Sequence, residues 1–70
     1  MNTAKLKGAI VAAETTQPKL AQKLGIATSS LSAKIQGHRQ FTYDELVGIK
    51  KHLNLDSSQF MEIFFDSKVS

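Results

Sequence analysis

Apolar residues recur along this chain at helical spacing, in short stretches that are separated by typical helix-starting and helix-ending residues. The first stretch, residues 3–14, carries Leu6, Ile10 and Ala13 at positions i, i+4 and i+7, which predicts an amphipathic helix. Gly8 lowers the stability of this helix by about 1 kcal/mol relative to alanine, and close approach of another helix would explain its presence.

The second stretch has clear boundary signals. Thr16 is suited to cap a helix over residues 17–24, and Pro18 fits its first turn because a proline there loses no helical hydrogen bond. Leu20, Ala21 and Leu24 form its inner face. Gly25 is suited to end the helix because glycine enters the left-handed region without steric cost.

A third helix should follow almost at once. Ile26 fits a buried turn position, and a helix that begins near residue 27 or 28 directs Leu31 and Ile35 inward. Gly37 is placed to stop it. We therefore predict two short helices joined by a tight turn.

Two capping boxes mark the remaining helices. Thr42 precedes Glu45, and Asp56 precedes Gln59, each by the three residues that let both side chains cap a helix start. The expected inward residues are Leu46, Ile49 and Leu53 in the fourth helix, which ends near Asn54, and Phe60, Ile63 and Phe64 in a fifth helix at about residues 57–65. No strand pattern competes, so the prediction is an all-α fold of five short helices in a single domain over residues 1–70.

Composition narrows the class of protein. Seventy residues without cysteine predict one thin apolar core and exclude disulfides and thiolate zinc sites. The longest apolar run, residues 9–13, is far below the roughly 20 residues that span a bilayer, so we expect a soluble cytoplasmic protein without a membrane partner. His38 and His52 lack a third ligand, and residues 28–32 lack a neighbouring base. We therefore predict no metal, no cofactor and no enzymatic activity.

Charge is distributed unevenly. Residues 1–40 contain six lysine and arginine side chains against Glu14 alone, whereas residues 41–70 have an acidic excess. Polyanions should prefer the first half. A basic surface is common in small proteins, so the charge does not by itself select DNA as the partner.

The spacing of the second and third helices predicts a helix-turn-helix at residues 17–36. Ala21 is small enough for a close helix crossing, and Gly25 permits the turn. An ordinary helical hairpin would accept the same two residues, but it has little use for an outer face of small, mostly polar side chains. That face consists of Thr28, Ser29, Ser32 and Ala33.

At these residues the chain resembles the phage Cro and CI repressor class of helix-turn-helix proteins. The resemblance rests on TTQPKLAQKLGIATSSLSAKIQG, residues 15–37, and above all on TQPKLAQKLG. The remainder, HRQFTYDELVGIKKHLNLDSSQFMEIFF, resembles the last two helices of short Cro-like or repressor-modulating proteins from temperate phages of Gram-positive bacteria. The resemblance implies a lambda-repressor-like fold, dimeric binding to operator DNA and a role as a transcriptional switch.

The resemblance also implies which residues contact DNA. Gln17 would contact a phosphate, with simple N-terminal capping of the helix as its alternative role. The base-facing positions would be Thr28, Ser29, Ser32 and Ala33. The backbone contacts would come from Ser30, Lys34, Gln36, His38 and, as the principal one, Arg39. Lys34 could equally be an ordinary surface lysine, and a histidine at position 38 is more often an exposed loop histidine than a pH sensor.

The C-terminal helix suggests a second interface. Phe64 and Phe65 are adjacent and cannot share one side of a helix. We predict a homodimer interface at Phe60, Phe64, Phe65 and Val69, with closure of the monomer's own core by both phenylalanines as the alternative.

Two functions follow as hypotheses. The first is a Cro-like repressor that binds operator DNA as a dimer. The second is an antirepressor or modulator of the same fold, which binds a partner repressor and has weak DNA affinity alone. The absence of Gln, Asn, Lys and Arg from the four base-facing positions favours the second, whereas the charge asymmetry favours the first.

Overall fold

The computed structural model describes residues 1–65, and within them the chain folds into helices without a strand. The helices are α1 (Thr3–Ala12), α2 (Gln17–Leu24), α3 (Thr28–Ile35), α4 (Tyr43–His52) and α5 (Ser57–Phe64). The predicted all-α fold of five short helices is thus confirmed over this range. Val69, which was predicted at a dimer interface, lies outside the described residues.

Side-chain caps explain where most of the helices begin. The capping residues are Asn2 for α1, Thr16 for α2, Thr42 for α4 and Asp56 for α5. Both predicted capping boxes are present, because Glu45 and Gln59 return a hydrogen bond to the backbone of their cap residues. Helix α3 differs, since it begins after Ala27, which has no side chain that can cap it.

The helix ends depart slightly from the prediction. Helix α1 ends at Ala12 instead of residue 14, because Glu14 turns into the left-handed region with φ at 58°. Helices α3 and α5 each end one residue earlier than expected. Gly25 and Asn54 do occupy left-handed turn positions, with φ values of 75° and 55°.

Most of the core lies where the helical stripes predicted it, but Leu46 is only half-buried, and Leu55, in the turn before α5, joins the core without having been predicted. The buried apolar residues are Leu6, Ile10, Leu20, Ala21, Leu31, Ile35, Ile49, Leu53, Leu55 and Ile63. Helix α2 makes its most extensive contacts with α3 and α4, and α1 packs mainly against α5. The N-terminus joins this arrangement because the Asn2 amide donates to the Ile63 carbonyl at 2.7 Å. Helix α2 is therefore the support on which both α3 and α4 rest.

Two glycines correct the expectation about close helix packing. A Cβ added at Gly8 would meet no atom within 4 Å, so helix approach does not explain that glycine. The close approach occurs instead at Gly48 of α4, where an added Cβ would lie 2.7 Å from the Leu24 Cδ2 atom of α2. Gly48 thus lets α4 lie against α2.

Candidate nucleic-acid interface

The α2–α3 unit is held by hydrogen bonds that close the turn between the two helices. The Gly25 amide donates to the Gln22 carbonyl at 3.1 Å, and the Ile26 amide donates to the Ala21 carbonyl at 3.0 Å. Ala21 is buried at the start of this turn, and Ile26 packs partly buried against the core. The turn therefore fixes how α3 leaves α2.

Helix α3 is divided into a buried side and an accessible side. Leu31 and Ile35 are fully buried and anchor the helix. Thr28 and Ser29 are exposed in its first turn, whereas Ser30, Ser32 and Ala33 are half-buried. The Ser32 hydroxyl also accepts a hydrogen bond from the Gln36 side chain at 3.2 Å. The most accessible of the predicted base-facing residues are consequently Thr28 and Ser29.

The first turn of α3 presents backbone donors as well as hydroxyls. The amides at a helix start have no partner within the helix, and Ala27 supplies no side-chain acceptor for them. Gln17 lies half-buried in the first turn of α2, where Thr16 already caps the helix by accepting from the Lys19 amide at 3.3 Å. Capping therefore does not require the Gln17 side chain.

The loop after α3 is ordered by its backbone. The Gly37 amide donates to the Lys34 carbonyl at 3.2 Å, and the His38 amide donates to the Ala33 carbonyl at 2.9 Å. Gly37 has a φ of 89°, which glycine adopts without strain. Gln36, His38 and Arg39 are exposed along this loop, so their polar groups remain accessible to a ligand.

Lys34 does not fit its predicted role as a phosphate contact. Its ammonium donates to both carboxylate oxygens of Glu45, at 2.7 and 2.5 Å, and the two side chains are only 12% and 11% exposed. The charge of Lys34 is therefore neutralised inside the protein by α4. Sequence reasoning missed this pair because the partners are eleven residues apart and belong to different helices.

Glu45 combines this ion pair with its capping role. One of its oxygens also accepts from the Thr42 amide at 2.9 Å. Burial raises the pKa of the Glu45 carboxyl, but the hydrogen bonds from Lys34 and Thr42, with the charge of Lys34, outweigh burial and hold it below its ordinary value of 4.5. Glu45 is thus ionised at neutral pH and ties α3 to the start of α4.

The positive charge of the first half is smaller than the sequence suggested. Besides Lys34, the Lys5 ammonium lies 3.5 Å from a Glu62 carboxylate oxygen of α5, in a pair that is more than half exposed. An exposed pair of this kind is weak and leaves Lys5 accessible to solvent. Of the two cations predicted as backbone contacts, Lys34 and Arg39, only Arg39 is therefore exposed to solvent.

The aromatic end of the molecule resolves the question about the adjacent phenylalanines. Phe64 packs partly buried against the core and meets the Phe41 ring edge-on at 5.7 Å, and Phe60 lies 5.0 Å from Phe64. Phe65 instead stays 53% exposed, with its ring 5.9 Å from that of Phe60. One of the pair therefore closes the core, and the other extends an aromatic cluster to the surface.

Two exposed apolar residues escaped the sequence analysis. Tyr43 and Val47 lie one turn apart on the outer side of α4, with exposed fractions of 78% and 47%. Their i, i+4 spacing was a readable signal, but the stripe of Leu46, Ile49 and Leu53 explained α4 without them. They define an apolar strip on the side of α4 that faces away from the core.

Comparisons with known proteins add no constraint, because no protein-family model, no curated protein and no solved structure matches this chain at a significant level. Within residues 1–65, no helix combines the length and apolar character needed to cross a membrane. The same residues contain no group of three or more His, Cys, Asp or Glu side chains arranged to hold a metal ion.

Proposed function

We propose that this chain is a DNA-binding transcriptional regulator of the Cro-like type, in which α2 and α3 form a helix-turn-helix and α3 enters the major groove of operator DNA. The observation that carries the proposal is the division of α3. Leu31 and Ile35 anchor one side in the core, while Thr28 and Ser29 are exposed with small side chains. A helix of this kind can approach base edges closely without losing its own packing.

Affinity in this proposal comes mainly from the DNA backbone. The exposed guanidinium of Arg39 suits a phosphate, and Gln36 and His38 can donate hydrogen bonds from the same loop. The uncapped amides at the start of α3 and the dipole of that helix also favour a negative charge. Gln17, in the first turn of α2, is proposed as a further contact to the DNA backbone, whereas the Lys34 ammonium is paired with Glu45.

Specificity then depends on small groups. Hydroxyls of Thr28, Ser29 and Ser32 can donate or accept at base edges, and the methyl groups of Thr28 and Ala33 suit thymine methyls. None of these side chains can form a bidentate pair with a base. Bridging water and the deformability of the operator would supply the remaining discrimination.

The regulator is proposed to act as a homodimer on a two-fold symmetric operator. The exposed Phe65, next to Phe60 and Phe64, offers apolar surface for such contacts. A bacterial cytosol is the compartment that fits this function. Neither a cofactor nor a metal is needed for it.

The test is a fluorescence anisotropy titration with a mixed-sequence duplex of about 20 bp, or two helical turns, followed by selection from a randomised duplex pool. Binding should weaken steeply with salt. Arg39→Ala should reduce the slope of log K against log salt by about 1, because one phosphate contact is lost. Lys5→Ala removes the same charge on the α1–α5 side and should leave the slope unchanged.

Ser29→Ala tests the α3 face separately. It should weaken binding to a selected sequence about 2- to 10-fold, as expected for one lost hydrogen bond, and leave mixed-sequence binding unaltered. The proposal is refuted if the protein shows no salt-dependent binding to the mixed-sequence duplex or to the selected sequence. It is also refuted if Arg39→Ala and Ser29→Ala both bind the selected sequence as tightly as the unaltered chain does.

A second candidate function is a modulator that binds a partner repressor. The exposed apolar side chains of Tyr43, Val47 and Phe65 favour it, because they offer a protein partner more than they offer DNA. Size-exclusion chromatography of a mixture with a purified CI-type repressor tests it. Co-elution together with negligible DNA affinity of the chain alone would support this function over the first.

A further inference from the structure

The outer side of α4 forms a compact surface that the core does not use. Ile49 is buried on the opposite side of this helix, while Tyr43 and Val47 remain exposed one turn apart. Asp44, Lys50 and Lys51 complete the same side at helical spacing. We call these five residues the α4 face: Tyr43, Asp44, Val47, Lys50 and Lys51.

Charges on the α4 face are separated along the helix. Asp44 lies at the N-terminal end, and Lys50 and Lys51 lie at the C-terminal end. Glu45 does not disturb this order, because its carboxylate is bound to Lys34 on another side of α4. A helix dipole alone would explain such charges, but it does not explain the exposed Tyr43 and Val47 on the same side of the helix.

This arrangement is complementary to itself in the antiparallel direction. When two copies of a helix pack antiparallel about a two-fold axis at position n, the residue at n−3 faces the residue at n+4 of the other copy, and n−4 faces n+3. With Val47 on the axis, Asp44 faces Lys51 of the second copy. Tyr43 likewise faces Lys50, an arrangement that permits a cation–π contact. Each favourable pair occurs twice in the dimer.

The α4 face also continues onto the aromatic cluster. The Lys50 ammonium lies 5.7 Å from the centre of the Phe60 ring, which in turn contacts the exposed Phe65. The Lys50 side chain therefore connects the α4 face to the rings of Phe60 and Phe65. A second copy would cover a patch that crosses two helices.

We propose that a second copy of this chain docks on the α4 face, with the two α4 helices antiparallel and Val47 on the two-fold axis. The inference rests on the homodimer in the proposed function and assigns it an interface that centres on α4 instead of the end of α5. It does not require DNA, so the oligomeric state of the free protein tests it separately from operator binding.

The first measurement is the molar mass of the free chain across a concentration series, by sedimentation equilibrium. The unaltered chain should show a reversible dimer, and Val47→Asp should raise its dissociation constant at least 10-fold because a carboxylate would be buried against its own copy. Val11→Asp is the matched control, since Val11 is 73% exposed on α1 and lies outside the face. Circular dichroism of each variant verifies that the helices are intact.

Charge exchange tests the register. Asp44→Lys and Lys51→Glu should each weaken the dimer about 3- to 10-fold, because each creates two like-charge contacts. The double variant Asp44→Lys/Lys51→Glu should regain most of the affinity, since it restores opposite charges with the polarity reversed. A dimer held elsewhere would show no such recovery.

The inference is overturned by a monomeric chain at all concentrations, by a Val47→Asp variant that stays dimeric, or by a double variant no tighter than the single ones. If Phe65→Asp dissociates the dimer and Val47→Asp does not, the interface belongs to the end of α5, and the inference is likewise overturned. A dimer that behaves as described but fails to bind DNA would instead refute the DNA-binding proposal and leave this inference standing.

Discussion

Helices α3 and α4 share one core but present opposite chemistry to solvent. Leu31 and Ile35 anchor α3, and Ile49 anchors α4, all of them almost fully buried. On the outside, α3 carries small hydroxyl side chains, whereas α4 carries Tyr43 and Val47 together with charged side chains. Because the buried sides are alike, the core does not determine which partner either helix meets. The outer faces differ, and they carry our two separate proposals, a nucleic acid for α3 and a second copy of the chain for α4.

The two helices are nevertheless physically connected. Lys34 of α3 and Glu45 of α4 form an ion pair that is mostly removed from solvent, and Glu45 also caps α4 through Thr42. An ion pair in this setting loses most of its value if one partner is removed, because the other charge is left poorly solvated. The orientation of the α3 face therefore depends partly on α4.

The largest effect should come from the buried side of α3. Leu31→Ala should lower the free energy of unfolding by about 3 kcal/mol, because it leaves a cavity in the core. Ser29→Ala, on the exposed side of the same helix, should change it by less than about 0.5 kcal/mol. Urea unfolding followed by circular dichroism measures both. Equal losses would show that the two sides of α3 are not divided as described.

The next effect concerns the link between the helices. Lys34→Met should cost about 2 to 3 kcal/mol, because it leaves the Glu45 carboxylate without its ammonium partner. Lys5→Met is the matched control: its pair with Glu62 is exposed, so we expect at most about 0.5 kcal/mol. The double variant Lys34→Met/Glu45→Gln should recover part of the loss. A similar cost for both single variants would contradict a special role of the buried pair.

Acid should weaken the same link without any mutation. Because the pKa of Glu45 is lowered in the folded protein, its contribution to stability is complete above its unfolded value of about 4.5 and is lost as pH falls through the lowered value. Thermal unfolding at pH 7 and at a series of acidic pH values measures the loss. Glu45→Gln should show a flatter profile in the acidic range, and an unchanged profile would exclude Glu45 as a source of the acid sensitivity.

The smallest effect should distinguish two glycines. Gly8→Ala should stabilise the protein by about 0.5 to 1 kcal/mol, because alanine favours a helix and no atom lies near the added Cβ. Gly48→Ala gains the same preference but forces the flexible end of Leu24 to move, so its net effect should be smaller or negative. Thermal unfolding of both variants is sufficient. A larger gain in stability for Gly48→Ala than for Gly8→Ala would show that α4 and α2 are not closely packed at Gly48.

Much of the fold was predictable because its signals are local. Thr42 with Glu45 and Asp56 with Gln59 specify helix starts by contacts three residues apart, and Gly25 ends α2 through its own backbone freedom. The inner face of α3 followed from the spacing of Leu31 and Ile35. For the candidate site, the same periodicity predicted the exposure of Thr28 and Ser29, but it did not predict that Ser32 accepts from Gln36.

What could not be predicted depends on contacts between helices. Phe64 joins the core beside Phe41, which lies in the loop between α3 and α4 and is distant from Phe64 in the sequence. The reason for Gly48 depends on the position of the Leu24 side chain on another helix. No spacing within one helix contains this information.

The sequence by itself determined the five helices, the caps of α2, α4 and α5, and most of the anchored side of each helix, because these features arise from backbone hydrogen bonds and from apolar periodicity within a few residues. Only the tertiary structure decided how the charges and the surfaces are used. It pairs Lys34 with Glu45, leaves Arg39 exposed in the loop after α3, and leaves Tyr43 and Val47 uncovered on α4. The physical reason is that solvation and charge pairing depend on which helices pack against each other, and the order of residues along the chain does not specify that packing.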